Sequence, residues 1–152
     1  MPKLLPVVSC SRRTVLEALG VAALAGWILD GCGPGGANLP NASSTTCGTN
    51  LCIDLTDPAN ADLVDVGGAM AIDTAGDTVL IARTSPTEVI ALSAVCTHSG
   101  CIVDYNASSQ KVECNCHGSL FSTTGQVLRG PANAPLKMYA ASLAGTTITI
   151  TA

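Results

Sequence analysis

Two short runs, CTHSGC at Cys96–Cys101 and CNCHGSLF at Cys114–Phe121, constrain this chain more than any other part of it. Each sets a thiol and an imidazole a few positions apart, Cys96 with His98 and Cys114 with His117, and each carries a further cysteine, Cys101 or Cys116. The chain's two His and four of its eight Cys fall in these runs. Two thiolates and two imidazoles, one of each per loop, suit a clamp of two loops around a metal centre. A structural Zn²⁺ accepts such a set tetrahedrally. An iron–sulfur cluster accepts it when two His replace two Cys on one iron, which leaves the cluster less negative and easier to reduce. Zinc would leave Cys101, Cys116, Gly100 and Ser119 without a role. Gly100 and Gly118 stand where a tight turn calls for positive φ and close backbone approach.

Both runs resemble the loops of the Rieske family, C-x-H-x-G-C and C-x-C-H-G-S. The resemblance implies a [2Fe–2S] cluster with Cys96 and Cys114 on one iron and His98 and His117 on the other. It implies a disulfide between Cys101 and Cys116, as in the high-potential members; the oxygenase-type ferredoxins of the superfamily lack that pair. It also implies that Ser119 donates a hydroxyl hydrogen bond to a cluster sulfur, which favours the reduced state. Phe121 stands where many high-potential members have Tyr, so one donor fewer is expected there. The run from Gly130 to Pro135 resembles the loop that covers the cluster, where proline stiffens the backbone. The implied function is one-electron transfer, with His98 and His117 meeting a quinol and taking up its proton. The chain would then be the iron–sulfur subunit of a quinol–cytochrome c reductase-type complex, with cytochrome b- and c-type partners. Two other readings fit the motifs: a small subunit of a periplasmic molybdenum oxidase such as arsenite oxidase, and a free-standing redox lipoprotein.

Composition narrows the setting. At 152 residues there is room for one domain and a leader. The chain is 47% hydrophobic but only 3% aromatic, so Val, Ile, Leu and Ala must build the core. The net charge is −4. With no basic patch and scattered aromatics, nucleic-acid binding has no support. Eight Cys point to an oxidising compartment.

Residues 1–32 read as an export signal or membrane anchor. Ser11-Arg12-Arg13-Thr14-Val15-Leu16 resembles a twin-arginine motif. The apolar stretch after it, Val15–Leu29, spans roughly 22 Å as a helix at about 1.5 Å per residue, short of the about 30 Å hydrocarbon core. Leu29-Asp30-Gly31-Cys32 resembles a lipobox, with Asp30 atypical, and an uncleaved signal anchor is the competing form of tether. Together these place the protein on the outer, periplasmic face of a bacterial inner membrane. Residues 33–62, rich at first in Gly, Pro, Asn and Ser, are expected to be a flexible linker, with Cys47 and Cys52 forming a small disulfide loop. From Leu63 short apolar runs alternate with turn signals, among them Leu63–Val66, Ala69–Asp73, Thr78–Ala82 and Val89–Ala94. The expected fold is all-β: an antiparallel β-sandwich base over 63–152, carrying an inserted cluster-binding subdomain at about 96–135, preceded by the signal or anchor helix.

Overall fold

The computed structural model describes residues 37–151. The expected leader over 1–32, with its twin arginines and Cys32, lies outside the described residues. Seven strands form one antiparallel sheet: β1 (Thr45–Cys47), β2 (Asn50–Asp54), β3 (Ala69–Asp73), β4 (Thr78–Arg83), β5 (Val89–Ser93), β10 (Met138–Ala144) and β11 (Thr147–Thr151). Their spatial order is β1-β2-β11-β10-β5-β4-β3. Between β5 and β10 the chain makes a second antiparallel sheet of four strands, β6 (Asp104–Asn106), β7 (Lys111–Cys114), β8 (Ser119–Phe121) and β9 (Val127–Arg129). The base and its insertion are therefore as expected.

The sequence of β4 explains how the two sheets share a wall. Thr78-Val79-Leu80-Ile81-Ala82-Arg83 has apolar residues at consecutive positions, the pattern of a strand buried on both faces. Successive side chains point to opposite faces. Val79 and Ile81 accordingly enter the base core with Ile53, Leu63, Ile148 and Ile150. Leu80 and Ala82 enter a second core with Val103, Val112, Phe121 and the two motif cysteines Cys96 and Cys114. β5 splits in the same way, Ala91 to the first core and Leu92 to the second. Burying a Val, Leu or Ile side chain contributes about 1.5–3 kcal/mol, so this wall anchors the insertion to the base.

The neck of the insertion is tied by one carboxylate. Asp77 is oriented by its turn, with Thr74 Oγ1 donating to its carbonyl at 2.7 Å. Ser93, on the strand entering the insertion, donates its hydroxyl to Asp77 Oδ1 at 3.0 Å. Tyr139, on the strand leaving it, donates to Asp77 Oδ2 at 2.7 Å. The two strands are also joined directly, Ser93 N to Lys137 O at 2.7 Å. Burial raises the Tyr139 phenol above its ordinary value, and the hydrogen bond to Asp77 adds to that.

Two expectations need correction. Residues 45–54, expected within the linker over 33–62, are strands: β2 pairs with β11, Ile53 facing Ile148 in register. The Cys47–Cys52 disulfide closes the β1–β2 hairpin, with Cα atoms 5.8 Å apart. Upstream, Ala42 N donates to Ala71 O and Ala71 N to Pro40 O, covering the free edge of β3. Fully buried Asn60 fixes this stretch through bonds to Ser43 and Asp54 backbone atoms. The other correction concerns Leu63–Val66, which is not a strand. Leu63 ends a 3-10 helix, Pro58–Leu63, capped by Asp57, whose carboxylate accepts from Ala59 N at 2.9 Å. Gly67 and Gly68 then turn the chain; a Cβ at Gly68 would lie 1.5 Å from Asp62 O.

Candidate metal centre

Both motifs fold as hairpin tips. Around the first, Val103 N donates to Ala94 O, Val95 bridges Ile102, and Cys96 N donates to Cys101 O at 2.8 Å. The second caps the β7–β8 hairpin, where Cys114 lies opposite Ser119. Four residues make each tip, and each closes alike: Gly100 N donates to Cys96 O and Gly118 N to Cys114 O, both at 2.9 Å. The glycines have φ +76° and +78°, the left-handed region that admits glycine at little cost. One backbone shape is thus used twice, but the donors are offset along it. His98 is the second residue of its tip and His117 the third.

The six motif positions meet in pairs. Cys96 and Cys114 are free thiols, 2% and 1% exposed, and are hydrogen-bonded to each other. Cys101 and Cys116 form the expected disulfide, Cα atoms 6.5 Å apart, which joins the two tips. His98 and His117 lie on the exposed side, ring centroids 4.8 Å apart and planes nearly perpendicular at 83°. Burial pushes the Cys114 thiol above its ordinary value and the hydrogen bond to Cys96 pushes it further, while the Cys116 and His117 backbone N–H groups act against this. A buried pair of adjacent thiols is unfavourable as thiolates unless a cation neutralises them. The sulfurs of Cys101, Cys114 and Cys116 lie within 4.8 Å of one another, but two of them are spent in the disulfide. What remains is two buried thiols and two exposed imidazoles, a donor set of the type that suits a [2Fe–2S] cluster with mixed ligation.

The surroundings hold this arrangement shut. The segment Gly130–Pro135 lies over the tips and is tied to both. Thr97 Oγ1 donates to Ala134 O at 2.7 Å, and Ala132 N donates to Ser119 Oγ at 2.9 Å. Ser119, expected to face a sulfur, is seen here accepting from the covering loop. Phe121 is fully buried in the same apolar cluster as Cys96 and Cys114. Two contacts escape sequence reasoning. Ser99 Oγ lies 3.2 Å from His117 Nδ1, and Arg129 Nε donates to Gly118 O at 3.0 Å. Ser99 stood inside a motif and Arg129 directly before the Gly-Pro run, but neither position names its partner.

Comparison with known proteins fits this geometry. The Rieske [2Fe-2S] domain model matches residues 57–140. Subunit 1 of the cytochrome b6-f complex iron-sulfur protein from the Cyanophora paradoxa cyanelle is 34% identical over 138 residues, 80% of this chain. The Synechococcus elongatus b6-f iron-sulfur subunit is 51% identical over 55 residues, 36% of this chain. The matches span 55% and 30% of those relatives' own lengths. Among solved structures, the plasma membrane Rieske protein of Synechocystis PCC 6803 aligns with TM-score 0.54 and 34% identity, over 60% of this chain and 93% of that one. The carbazole 1,9a-dioxygenase ferredoxin of Nocardioides aromaticivorans aligns with TM-score 0.51 and 29% identity, over 57% and 86%.

Proposed function

The chain belongs to the Rieske [2Fe–2S] domain family, and on that premise we propose that it carries single electrons through a cluster held by Cys96, His98, Cys114 and His117. The observation that carries the proposal is the pairing, at two disulfide-linked hairpin tips, of two buried thiols with two exposed imidazoles. When bound, the cluster supplies a centre that accepts one electron at a time, at a potential raised by its imidazole ligands. The residues around it divide the work. Cys96 and Cys114 offer thiolates in a dry pocket, and the Cys116 and His117 N–H groups turned toward the Cys114 sulfur favour negative charge there. His98 and His117 reach the surface, where a ring nitrogen can hydrogen-bond a quinol oxygen and hold or release its proton. The covering loop and the disulfide keep water from the thiol side.

The proposed setting is the iron–sulfur subunit of a quinol–cytochrome c reductase-type complex. The head would take electrons from quinol beside a cytochrome b-type subunit and pass them to a c-type haem. Export by the twin-arginine route through Arg12 and Arg13, and a tether at the outer face of the inner membrane, complete the proposal. The b6-f iron-sulfur subunits among the relatives support this setting over a molybdenum oxidase. The Cys101–Cys116 disulfide supports it over an oxygenase ferredoxin, despite the shared fold.

The deciding experiment is aerobic purification of the exported protein. Iron without zinc, and a paramagnetic resonance of mixed Cys/His ligation on reduction, are expected. Zinc without iron overturns the ligand assignment. Co-purified b-type haem supports the setting; co-purified molybdopterin overturns it while leaving the cluster in place.

A further inference from the structure

Among the described residues there are four Lys and Arg side chains, and two of them, Arg83 and Lys137, are engaged with other parts of the chain. Arg83 donates to the carbonyls of Leu63, Ser85 and Pro86. Lys137 lies over the Tyr139 ring at 4.3 Å. Lys111 lies opposite Asn106 at the far end of the β7 ladder. Arg129 alone is bonded to a tip that bears proposed ligands, through Nε to Gly118 O at 3.0 Å. The nearest carboxylate along the chain, Glu113, lies two strands away in the same cross-strand row, Glu113–Leu120–Arg129, and accepts from Asn106 Nδ2 and Ser109 Oγ.

The position of Arg129 is built by its strand. It closes β9, opposite Leu120 of β8, and the chain continues from it into Gly130 and the covering loop. Its backbone therefore belongs to the cover and its side chain to the second tip. The guanidinium lies beside Gly118, 4.0 Å from where a Cβ would stand, an ordinary contact distance. The N–H groups of Cys116 and His117 serve the Cys114 sulfur, and the next carbonyl, that of Gly118, accepts from a guanidinium. A hydrogen bond to a charged donor is stronger than a neutral one, and a guanidinium stays charged at any working pH.

Resting on the ligand assignment above, we infer that Arg129 is a positioning residue of the metal centre that also sets how readily the centre takes its electron. Its bond to Gly118 fixes the carbonyl next to His117, and its fixed positive charge favours the state that carries one more negative charge. Arg129 is exposed, so the charge contribution is screened by salt and the bond contribution is not.

The test is a redox titration of the cluster-loaded protein at low and high ionic strength, for wild type and for Arg129→Lys, Arg129→Gln and Arg129→Glu. Gln is expected to weaken electron affinity by up to about tenfold at low salt, equivalent to about 59 mV for one electron. Glu weakens it further, Lys restores most of it, and the gap between Gln and wild type narrows as salt rises. The paramagnetic resonance line shape should shift in Lys and Gln alike, because neither reproduces the Nε–H bond. Equal potentials across the series at low salt, in proteins that hold the cluster, overturn the inference and leave the ligand assignment standing. A wild type without iron overturns both. Where Gln assembles no cluster, Lys decides alone: a potential near wild type supports the inference, and a tenfold loss of affinity overturns it.

Discussion

The two hairpin tips share a backbone and differ in nearly everything attached to it. Each has four residues, a closing Gly N–H to Cys carbonyl bond of 2.9 Å, and a glycine near φ +77° that ends the turn. On the first, the second tip residue is an imidazole; on the second, it is a disulfide sulfur, and the imidazole follows one place later. The closing position is Cys101 in one and buried Ser119 in the other. The first tip grips the covering loop by donating from Thr97; the second grips it by accepting at Ser119. Equal backbones with offset side chains let two hairpins face each other without their side chains competing for the same space. Cys101 and Cys116 then meet as a bridge, while His98 and His117 meet edge to face on the outer side.

The comparison breaks most severely at the proposed ligands. Replacing His98 or His117 with Ala should abolish cluster assembly, read as loss of visible absorbance and bound iron. If one variant keeps the cluster, the two tips are not equivalent in ligation. Changing Cys101 and Cys116 together to Ser should cost up to about 3 kcal/mol, from a bridge spanning 15 residues. Thermal melting and the half-life of the cluster measure this, and no ligand is lost. Gly100→Ala and Gly118→Ala sharpen the equivalence itself. Nothing lies within 4 Å of a Cβ at Gly100, and only Arg129 at 4.0 Å from one at Gly118. Both should therefore lose the same about 1–2 kcal/mol, the cost of a left-handed L-residue; clearly unequal losses by denaturant titration would end the analogy.

A smaller effect addresses the serine. Ser119→Ala should lower the potential and leave the Ala132 N–H unpaired, at a cost of about 1 kcal/mol. An unchanged potential with lowered stability would mean that the hydroxyl serves only the covering loop.

The tips were legible in the sequence because their chemistry is local. Cysteine, histidine and glycine within six positions mark a candidate ligand loop before any fold is known, and the apolar run within Thr78–Ala82 marks a strand. The first hairpin was not legible. Thr45, Thr46, Cys47 and Asn50 carry no clear alternation, and β2 acquires its place only by pairing with β11 nearly a hundred residues later. The same holds for Arg129 on Gly118, Ser119 under Ala132, and Asp77 between Ser93 and Tyr139. Each is a contact between side chain and distant chain, and no pattern along the sequence pairs its two halves.

An electron carrier that visits two stations can bend at its middle or travel whole. In this head the middle is the neck, and Asp77 holds the ascending strand by one oxygen and the descending strand by the other. Bending there would strip both partners from a carboxylate and separate Ser93 from Lys137 in the same movement. Under the proposed function the described domain would therefore travel whole, and the distance from its tips to a donor or acceptor would be set by how the entire body docks, not by flexing between base and insertion.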